Sequence, residues 1–337
     1  MTLEEIFTFE NIYEAHKWCR KSKQHKGEVI RFEIDLSKNI SGLIREITNR
    51  KYKLGNYRKF KLYEPKERLI EALSYKDRVV LMCFVTNVLK PKISKHVIHD
   101  NAACQKYKGT DFGLKRLEKF LKREFINEKS NEFYYLKCDI HKYFPSINHD
   151  VLIEKLRRIG LSSDELELAK IFMFNNDMPC GIPLGNLSSQ WYALIYLDDL
   201  DRLIKEKLHI KGYIRYMDDF ILIHQSKSYL KYCLKEIDKM CNEKLKVKLN
   251  AKTQIGKVKN GIDFLGYRLI LTNTGKIIKK LRGSSKRRIK KHLKNLSKLE
   301  QRGIVDREYV NIRKNCFYSR VINSDESRSF LNITKPN

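Results

Sequence analysis

What this chain lacks narrows its class before any motif is read. Acidic residues are scarce beside basic ones: 40 Asp and Glu face 69 Lys and Arg, a formal charge of +29 over 337 residues. Such an excess is hard to keep compact alone, so a polyanionic partner such as nucleic acid is expected. The eight cysteines (Cys19, Cys83, Cys104, Cys138, Cys180, Cys233, Cys241, Cys316) include no Cys-x-x-Cys pair, which argues against zinc. Their scatter among apolar and basic neighbours suits reduced thiols better than a disulfide framework. No apolar run approaches membrane-spanning length, and the acidic start Met1-Thr2-Leu3-Glu4-Glu5 has no signal-peptide core. A soluble, intracellular protein without membrane contact is expected. Internal repeats and low-complexity linkers are also missing. An apolar fraction of 42% fits a packed globular chain with room for two or three subdomains.

One absence is local. Residues 212–224 read as a β-hairpin with apolar, strand-favouring runs on both sides of Tyr216-Met217-Asp218-Asp219. A hairpin built only for shape carries Asn-Gly, Asp-Gly or Gly-Gly at its tip, and this tip has no glycine, asparagine or proline. Two adjacent carboxylates repel each other, so the tip is expected to hold a cation between them, with a hard divalent ion such as Mg²⁺ the natural candidate. An isolated Asp-Asp pair would be a solvated acidic turn. Its companions in the chain decide otherwise.

In order, residues 1–50 read as helical, with Phe9, Ile12, Tyr13, His16 and Trp18 on one face and a basic connection at 21–26. Residues 57–70 form a two-strand ribbon. At its charged tip Lys66 and Arg68 project the same way, placed to grip a triphosphate. A helix capped near Ser74 runs to residue 89. The polar loop 99–110, with Lys106 and Lys108, suits a nucleic-acid backbone. A strand over 133–140 delivers Asp139 at its end, where rigid scaffolds place reactive groups. In the loop 179–190 the bare backbone of Gly185 would allow close approach of a ligand. That loop leads into a helix over 191–208, with Ser188 or Ser189 at its cap. Residues 229–245 form an amphipathic helix, and 249–267 alternates turns with short strands. Beyond residue 272 the chain turns strongly basic, from Lys279 and Lys280 to Lys298. It reads there as a helix with an apolar stripe at Ile289, Leu293, Leu296 and Leu299. Its Lys286, Arg287, Arg288, Lys290 and Lys291 make a nucleic-acid track.

Asp139, Leu184-Gly185-x-x-x-Ser189-Gln190 and Asp218-Asp219 occur in the order of reverse transcriptase motifs. Lys66 and Arg68, Asp77-Arg78-Val79-Val80 and Phe264-Leu265-Gly266-Tyr267 extend the match over roughly residues 55–270. With five ordered companions for Tyr-x-Asp-Asp, the chain resembles an RNA-directed DNA polymerase. Many such enzymes carry Gln-Gly-x-x-x-Ser-Pro in the loop, whereas Leu184 and Gln190 stand here. The stretch from Gly181 to Gln190, and that from Asn101 to Thr110, is similar to diversity-generating retroelement reverse transcriptases. Lys66-Glu67-Arg68 is tighter than the Lys-to-Arg spacing of group II intron relatives.

The resemblance implies an α+β right-hand fold. Residues 1–130 (with part of 150–180) would form an N-terminal helical extension and fingers. Residues 131–270 would form a ferredoxin-like palm with an antiparallel sheet, and 271–337 a basic helical thumb. It implies that Asp139 and Asp218, with the Ile140 carbonyl and Asp219 assisting, hold two Mg²⁺ ions, Mn²⁺ being a possible substitute. Lys66 and Arg68 would bind the triphosphate, Phe144 would exclude a 2′-hydroxyl, and Lys252 would protonate pyrophosphate. Leu184, Gly185 and Gln190 would lie near the nascent base pair. Template RNA, a DNA or RNA primer, dNTPs and a small accessory protein are the implied partners, in a bacterial or phage-encoded cytoplasmic protein. A phage-defence or retron-like reverse transcriptase is the rival within the class; an RNA-binding protein with a dead polymerase fold is the rival outside it. The intact aspartates disfavour the latter.

Overall fold

The structure, a computed structural model, describes residues 2–63, 67–174 and 178–336. Four helices open the chain: α1 (Leu3–Ile6), α2 (Phe9–Arg20), α3 (Gly27–Ile34) and α4 (Leu36–Thr48). Thr2 and Thr8 cap the first two through their side chains, Thr2 in a reciprocal capping box with Glu5. The buried stripe of α2 is Ile12, Ala15, His16 and Cys19, spaced three and four apart. Phe9, Tyr13 and Trp18, expected on that face, are exposed instead. What selects the stripe is α5 (Tyr75–Phe84), whose Tyr75 hydroxyl lies 2.9 Å from His16 Nδ1. The opening helices therefore share the main core.

Strands β1 (Arg58–Leu62) and β2 (Arg68–Ala72) pair antiparallel, as the ribbon predicts. Ser74 caps α5, which widens into a π-type turn at Val85–Leu89 before α6 (Lys90–Ser94). Pro91, which has no N–H to donate back into the helix, lies just beyond the widening. Helix α7 (Thr110–Glu128) follows the polar loop.

The central sheet comprises β3 (Tyr134–Cys138), β4 (Gly212–Tyr216), β5 (Asp219–His224) and β6 (Gln254–Lys257), in the order β4-β5-β3-β6 and antiparallel throughout. Between β3 and β4 lie α8 (Tyr143–Ser146), α9 (His149–Arg158), α10 (Ser163–Met173), α11 (Leu187–Tyr196) and α12 (Asp198–Arg202); α13 (Lys227–Lys239) joins β5 to β6. This β-α-β-β-α-β order is the ferredoxin-like arrangement expected for a palm. Both faces of the sheet are covered. Leu136, Cys138, Tyr213, Phe220 and Leu222 enter a core shared with the opening helices, α5 and α11, while Tyr135, Ile214, Ile221 and Ile223 meet α7 on the other side. That double burial is why the strands read as continuous apolar runs.

A second sheet, β7 (Ile262–Phe264), β8 (Tyr267–Leu271) and β9 (Ile277–Leu281), leads to α14 (Gly283–Gln301), α15 (Arg307–Ile322) and α16 (Arg328–Thr334). The basic run therefore opens as a strand carrying Lys279 and Lys280, and becomes helical only at Gly283. The expected helix over 191–208 also differs. It starts at Leu187 behind Asn186 and breaks at Leu197. After α12 it ends in a π-type turn, Leu203–Lys207. Ser188 and Ser189 are buried in its first turn rather than capping it, and Ser189 Oγ donates to the Pro183 carbonyl at 2.7 Å. All eight cysteines are free thiols, as expected. No helix among the described residues is long and apolar enough to cross a membrane.

Deepest in the main core sits an ion pair. Arg215 is fully buried, and its guanidinium donates to both carboxylate oxygens of Asp201 (Nε to Oδ1, 2.8 Å) and to the carbonyls of Met217 (3.0 Å) and Leu194 (3.2 Å). Tyr213 adds its hydroxyl to Asp201 at 2.6 Å. Removing one charge from such a pair strands the other in a low dielectric. Asp201→Asn is expected to lower unfolding stability by about 3 kcal/mol, read from urea denaturation of the full chain; an unchanged midpoint would show that the pair does not hold the fold.

Candidate active site

The sheet register brings the candidate carboxylates together. Cys138 pairs with Phe220 across β3 and β5, so the next residue on β3, Asp139, and the preceding residue on β5, Asp219, emerge at the same end. Tyr216 pairs with Asp219, which makes Met217-Asp218 a two-residue turn. Met217 adopts φ of +56°, a left-handed conformation that costs a non-glycine residue roughly 1–2 kcal/mol. The bond from Arg215 to the Met217 carbonyl holds the turn there.

Asp139 is fixed by a residue the sequence reading passed over. Asn250 Nδ2 donates to Asp139 Oδ2 at 2.9 Å, and the Asn250 N–H donates to the Asp139 carbonyl at 2.7 Å. Ile140 faces Leu249 in a bridge whose two bonds run from Asn250 N–H and from His141 N–H to Lys248, leaving the Ile140 carbonyl outside it. Asn250 lay in a stretch legible only as a turn, and no local pattern ties it to a strand so far away. Lys137, also unforeseen, reaches 3.3 Å from both Asp219 oxygens and donates to the Asp263 carbonyl at 2.7 Å.

The electrostatics are those of a site short of positive charge. Burial, reinforced by the Asp139 carboxylate, pushes the Asp218 carboxyl up to about 6. Burial also raises Asp219, against the pull of Lys137. Asp219 Oδ1 is buried and accepts no hydrogen bond; its approach to Lys137 lacks the geometry for one. A divalent cation would answer each of these: hard carboxylate oxygens, mutual repulsion and an unused acceptor. Asp139, Asp218, Asp219 and the Ile140 carbonyl therefore fit such an ion in chemistry. Among the described residues no group of three or more His, Cys, Asp or Glu side chains is arranged to hold a metal ion, and Asp219 is engaged with Lys137.

Asp218 and Asp219 open onto a cleft of about 740 Å³ also lined by Arg68, Phe144, Leu184, Gly185 and Gln190. Five residues expected near a nucleotide thus meet the carboxylates. Lys66 lies outside the described residues. Lys252 is exposed, on the turn after Asn250, whose Oδ1 accepts the Lys252 N–H at 3.1 Å. Gly185 is present for a reason other than ligand approach. At φ of +136°, a Cβ there would sit 2.4 Å from the Glu71 carbonyl oxygen, because β2 runs against the loop and the Glu71 N–H donates to the Leu184 carbonyl at 2.8 Å. The glycine joins ribbon to loop. Gln190 Oε1 accepts from the Cys104 thiol at 3.3 Å, which links the polar loop to the same cleft.

The candidate nucleic-acid residues divide. Lys106 is exposed, whereas the half-buried Lys108 ammonium donates to the His99 and Asn101 carbonyls at 2.8 and 3.0 Å. The loop itself is pinned to β4 by Ala102 N–H to the Arg215 carbonyl, 2.8 Å. On α14, Arg287 and Lys290 are exposed, Lys291 lies on the same solvent-facing side, and Arg288 is half-buried. Lys286 pairs with Glu326 at 2.6 Å and so ties α14 to the start of α16.

Residues 58–269 match the family model described as reverse transcriptase (RNA-dependent DNA polymerase). No curated protein matches the chain. Among solved structures it is similar to telomerase from Candida albicans in complex with a TWJ fragment of telomeric RNA (TM-score 0.54, 13% identity, covering 69% of this chain and 47% of that one). It is also similar to telomerase from Candida tropicalis in complex with the same kind of fragment (0.53, 15%, 84% and 52%), and to the apo Candida tropicalis enzyme truncated from the C-terminal domain (0.51, 16%, 67% and 55%). The chain spans about half the length of these structures, and identities this low speak to the fold alone, which is the polymerase fold. The family match covers well over half of the chain, from the β1–β2 ribbon through the central sheet and into β8, and on that ground the protein belongs to the reverse transcriptase family.

Proposed function

We propose that this protein is an RNA-directed DNA polymerase that extends a DNA or RNA primer on template RNA with dNTPs, within a diversity-generating retroelement. The observation that carries the polymerase reading is the convergence of Asp139 and Asp218 at one end of a buried sheet, where Asp218 and Asp219 face a cleft walled by Arg68 and residues 184–190. Two Mg²⁺ ions, or Mn²⁺ in their place, would lower the pKa of the primer 3′-hydroxyl and neutralise the leaving pyrophosphate. Asp139, Asp218 and the Ile140 carbonyl would hold them, with Asp219 assisting once released from Lys137. Arg68, at the start of β2, offers a fork to the triphosphate, and Lys66 would add a point charge. Phe144, in T-shaped contact with Tyr143, lines the cleft and would exclude a 2′-hydroxyl there. In-line displacement at the α-phosphate asks for positioning and charge neutralisation, which these groups supply.

The retroelement assignment rests on the loop from Gly181 to Gln190. An amide in place of Leu184 would hydrogen-bond the incoming nucleotide or the template; leucine offers only contact. One well-placed polar group contributes roughly 1–3 kcal/mol of discrimination. Its absence relaxes the demand on the base pair, in keeping with error-prone copying opposite template adenines as the family resemblance implies. A small accessory protein would complete the assembly, and the basic surface suits either that protein or RNA.

Two outcomes are expected. Asp218→Asn keeps the side-chain shape but loses the charge that holds a cation, so it should abolish primer extension while RNA binding and folding persist. Full extension by Asp218→Asn at ordinary Mg²⁺ would end the assignment. Leu184→Gln should lower misincorporation opposite adenine without stopping synthesis, measured by sequencing cDNA from wild type and variant on one template. Equal error rates from two active enzymes would remove Leu184 from the account, and a faithful wild type would remove the subfamily with it.

A further inference from the structure

The catalytic cleft does not end at its own wall. Beyond α2 it opens onto a second groove of about 860 Å³, and Lys23, Ala72, Leu73 and Arg78 line both. Lys26 at the N-cap of α3, Arg31 from its last turn, and Arg58 from β1 carry the groove outward. Lys23, Lys26, Arg31 and Arg58 have no carboxylate within ion-pair distance among the described residues. Of the acids, Glu28 also lines the groove, and it faces Arg78 at 3.6 Å. At the junction stands Trp18, 67% exposed and lining the cleft, with the Lys21 ammonium 5.8 Å from its ring centroid. A tryptophan left this open is costly to hydrate and has no packing role to explain it.

Uncompensated cations along a groove, with an exposed indole where the groove meets the active cleft, are the two components of sequence-tolerant single-strand binding. Phosphates follow the charges, and a base stacks on the ring. We infer that the groove between α2, α3 and the β1–β2 ribbon binds an unpaired RNA strand continuous with the strand in the cleft, and that Trp18 is its stacking platform. Lys21 sits where it meets the phosphate beside the stacked base, and Lys23 and Arg31 meet those that follow. The direction of travel rests on the polymerase reading; the binding itself does not.

The chain provides its own reporter. It has two tryptophans, and Trp191 is buried, so quenching of intrinsic fluorescence by a ligand in the groove reports on Trp18. The full-length protein is titrated with a single-stranded oligouridylate and with a blunt RNA duplex of equal length, while fluorescence anisotropy of labelled RNA gives affinity. The single strand is expected to quench and the duplex not. Trp18→Ala should lose the quench and weaken single-strand binding about tenfold, a stacking-sized effect, with duplex affinity unchanged. Lys23→Gln/Arg31→Gln should keep the quench at saturation and lower the log-log salt slope for single strands by about 1.4. Equal single-strand affinity for wild type and Trp18→Ala, quenching by the duplex alone, or an unaltered salt slope would each overturn the assignment. Primer extension with the same preparations separates the two readings: quenching without any synthesis by wild type leaves the groove standing and removes the polymerase.

Discussion

A guanidinium and a carboxylate held out of water set the geometry of everything near the candidate metal site. Arg215 and Asp201 form a pair whose value depends on complete satisfaction, since a low dielectric strengthens each contact and equally magnifies each omission. Here the satisfaction is spread across elements: Asp201 on α12, the Leu194 carbonyl on α11, and Met217 in the turn between β4 and β5. The backbone of Arg215 meanwhile binds the loop at Asp100 and Ala102. One residue, through side chain and backbone, thus registers the carboxylate turn against α11 and against the loop that reaches Gln190 through Cys104. Shape and chemistry are coupled through a single buried charge.

Against that rigid frame the carboxylates themselves are unsettled. A chain with +29 formal charge would seem able to neutralise three aspartates, yet exposed lysines more than about 8 Å away are screened by salt and contribute little. Among the described residues the ion pair to these aspartates comes from Lys137, and it is divided between Asp219 and the Asp263 carbonyl. The protein surrounds the site with positive potential suited to a polyphosphate and leaves a shortage of charge at its centre. That division is the arrangement in which a small cation and a long anion are taken up together.

The sequence made legible what local chemistry determines. The hairpin at 212–224, the strand before Asp139, the β1–β2 ribbon and the cap at Ser74 all follow from alternation, turn composition and capping, and each is found where expected. What stayed hidden depends on distant partners. Trp18 and Ile12 are both apolar residues of one helix; only the position of α5 decides that the second is buried and the first open. Gly185 was read as room for a ligand, but the neighbour it accommodates is the Glu71 carbonyl, contributed by a strand more than a hundred residues earlier. Lys108 resembles any loop lysine until its half-buried ammonium is seen on two carbonyls. Asn250, which fixes Asp139, carries no signal in its own neighbourhood.

The sheet order has a consequence for how the molecule is made. Strand β3 is central, yet neither neighbour exists when it leaves the ribosome: β5 begins at residue 219, and β6 ends at residue 257. Until then Tyr135, Leu136 and Cys138 have apolar side chains and no ladder, and loop closure of this length has to be met before any contact rewards it. Domain-wise folding during synthesis, with each piece maturing in turn, is closed to this topology, because the opening helices, α5, α11 and one face of the sheet share one core. The nascent chain therefore carries unburied apolar surface through most of its synthesis. Its carboxylates also converge late, so a growing polypeptide attached to its own messenger RNA has no assembled site with which to act on it.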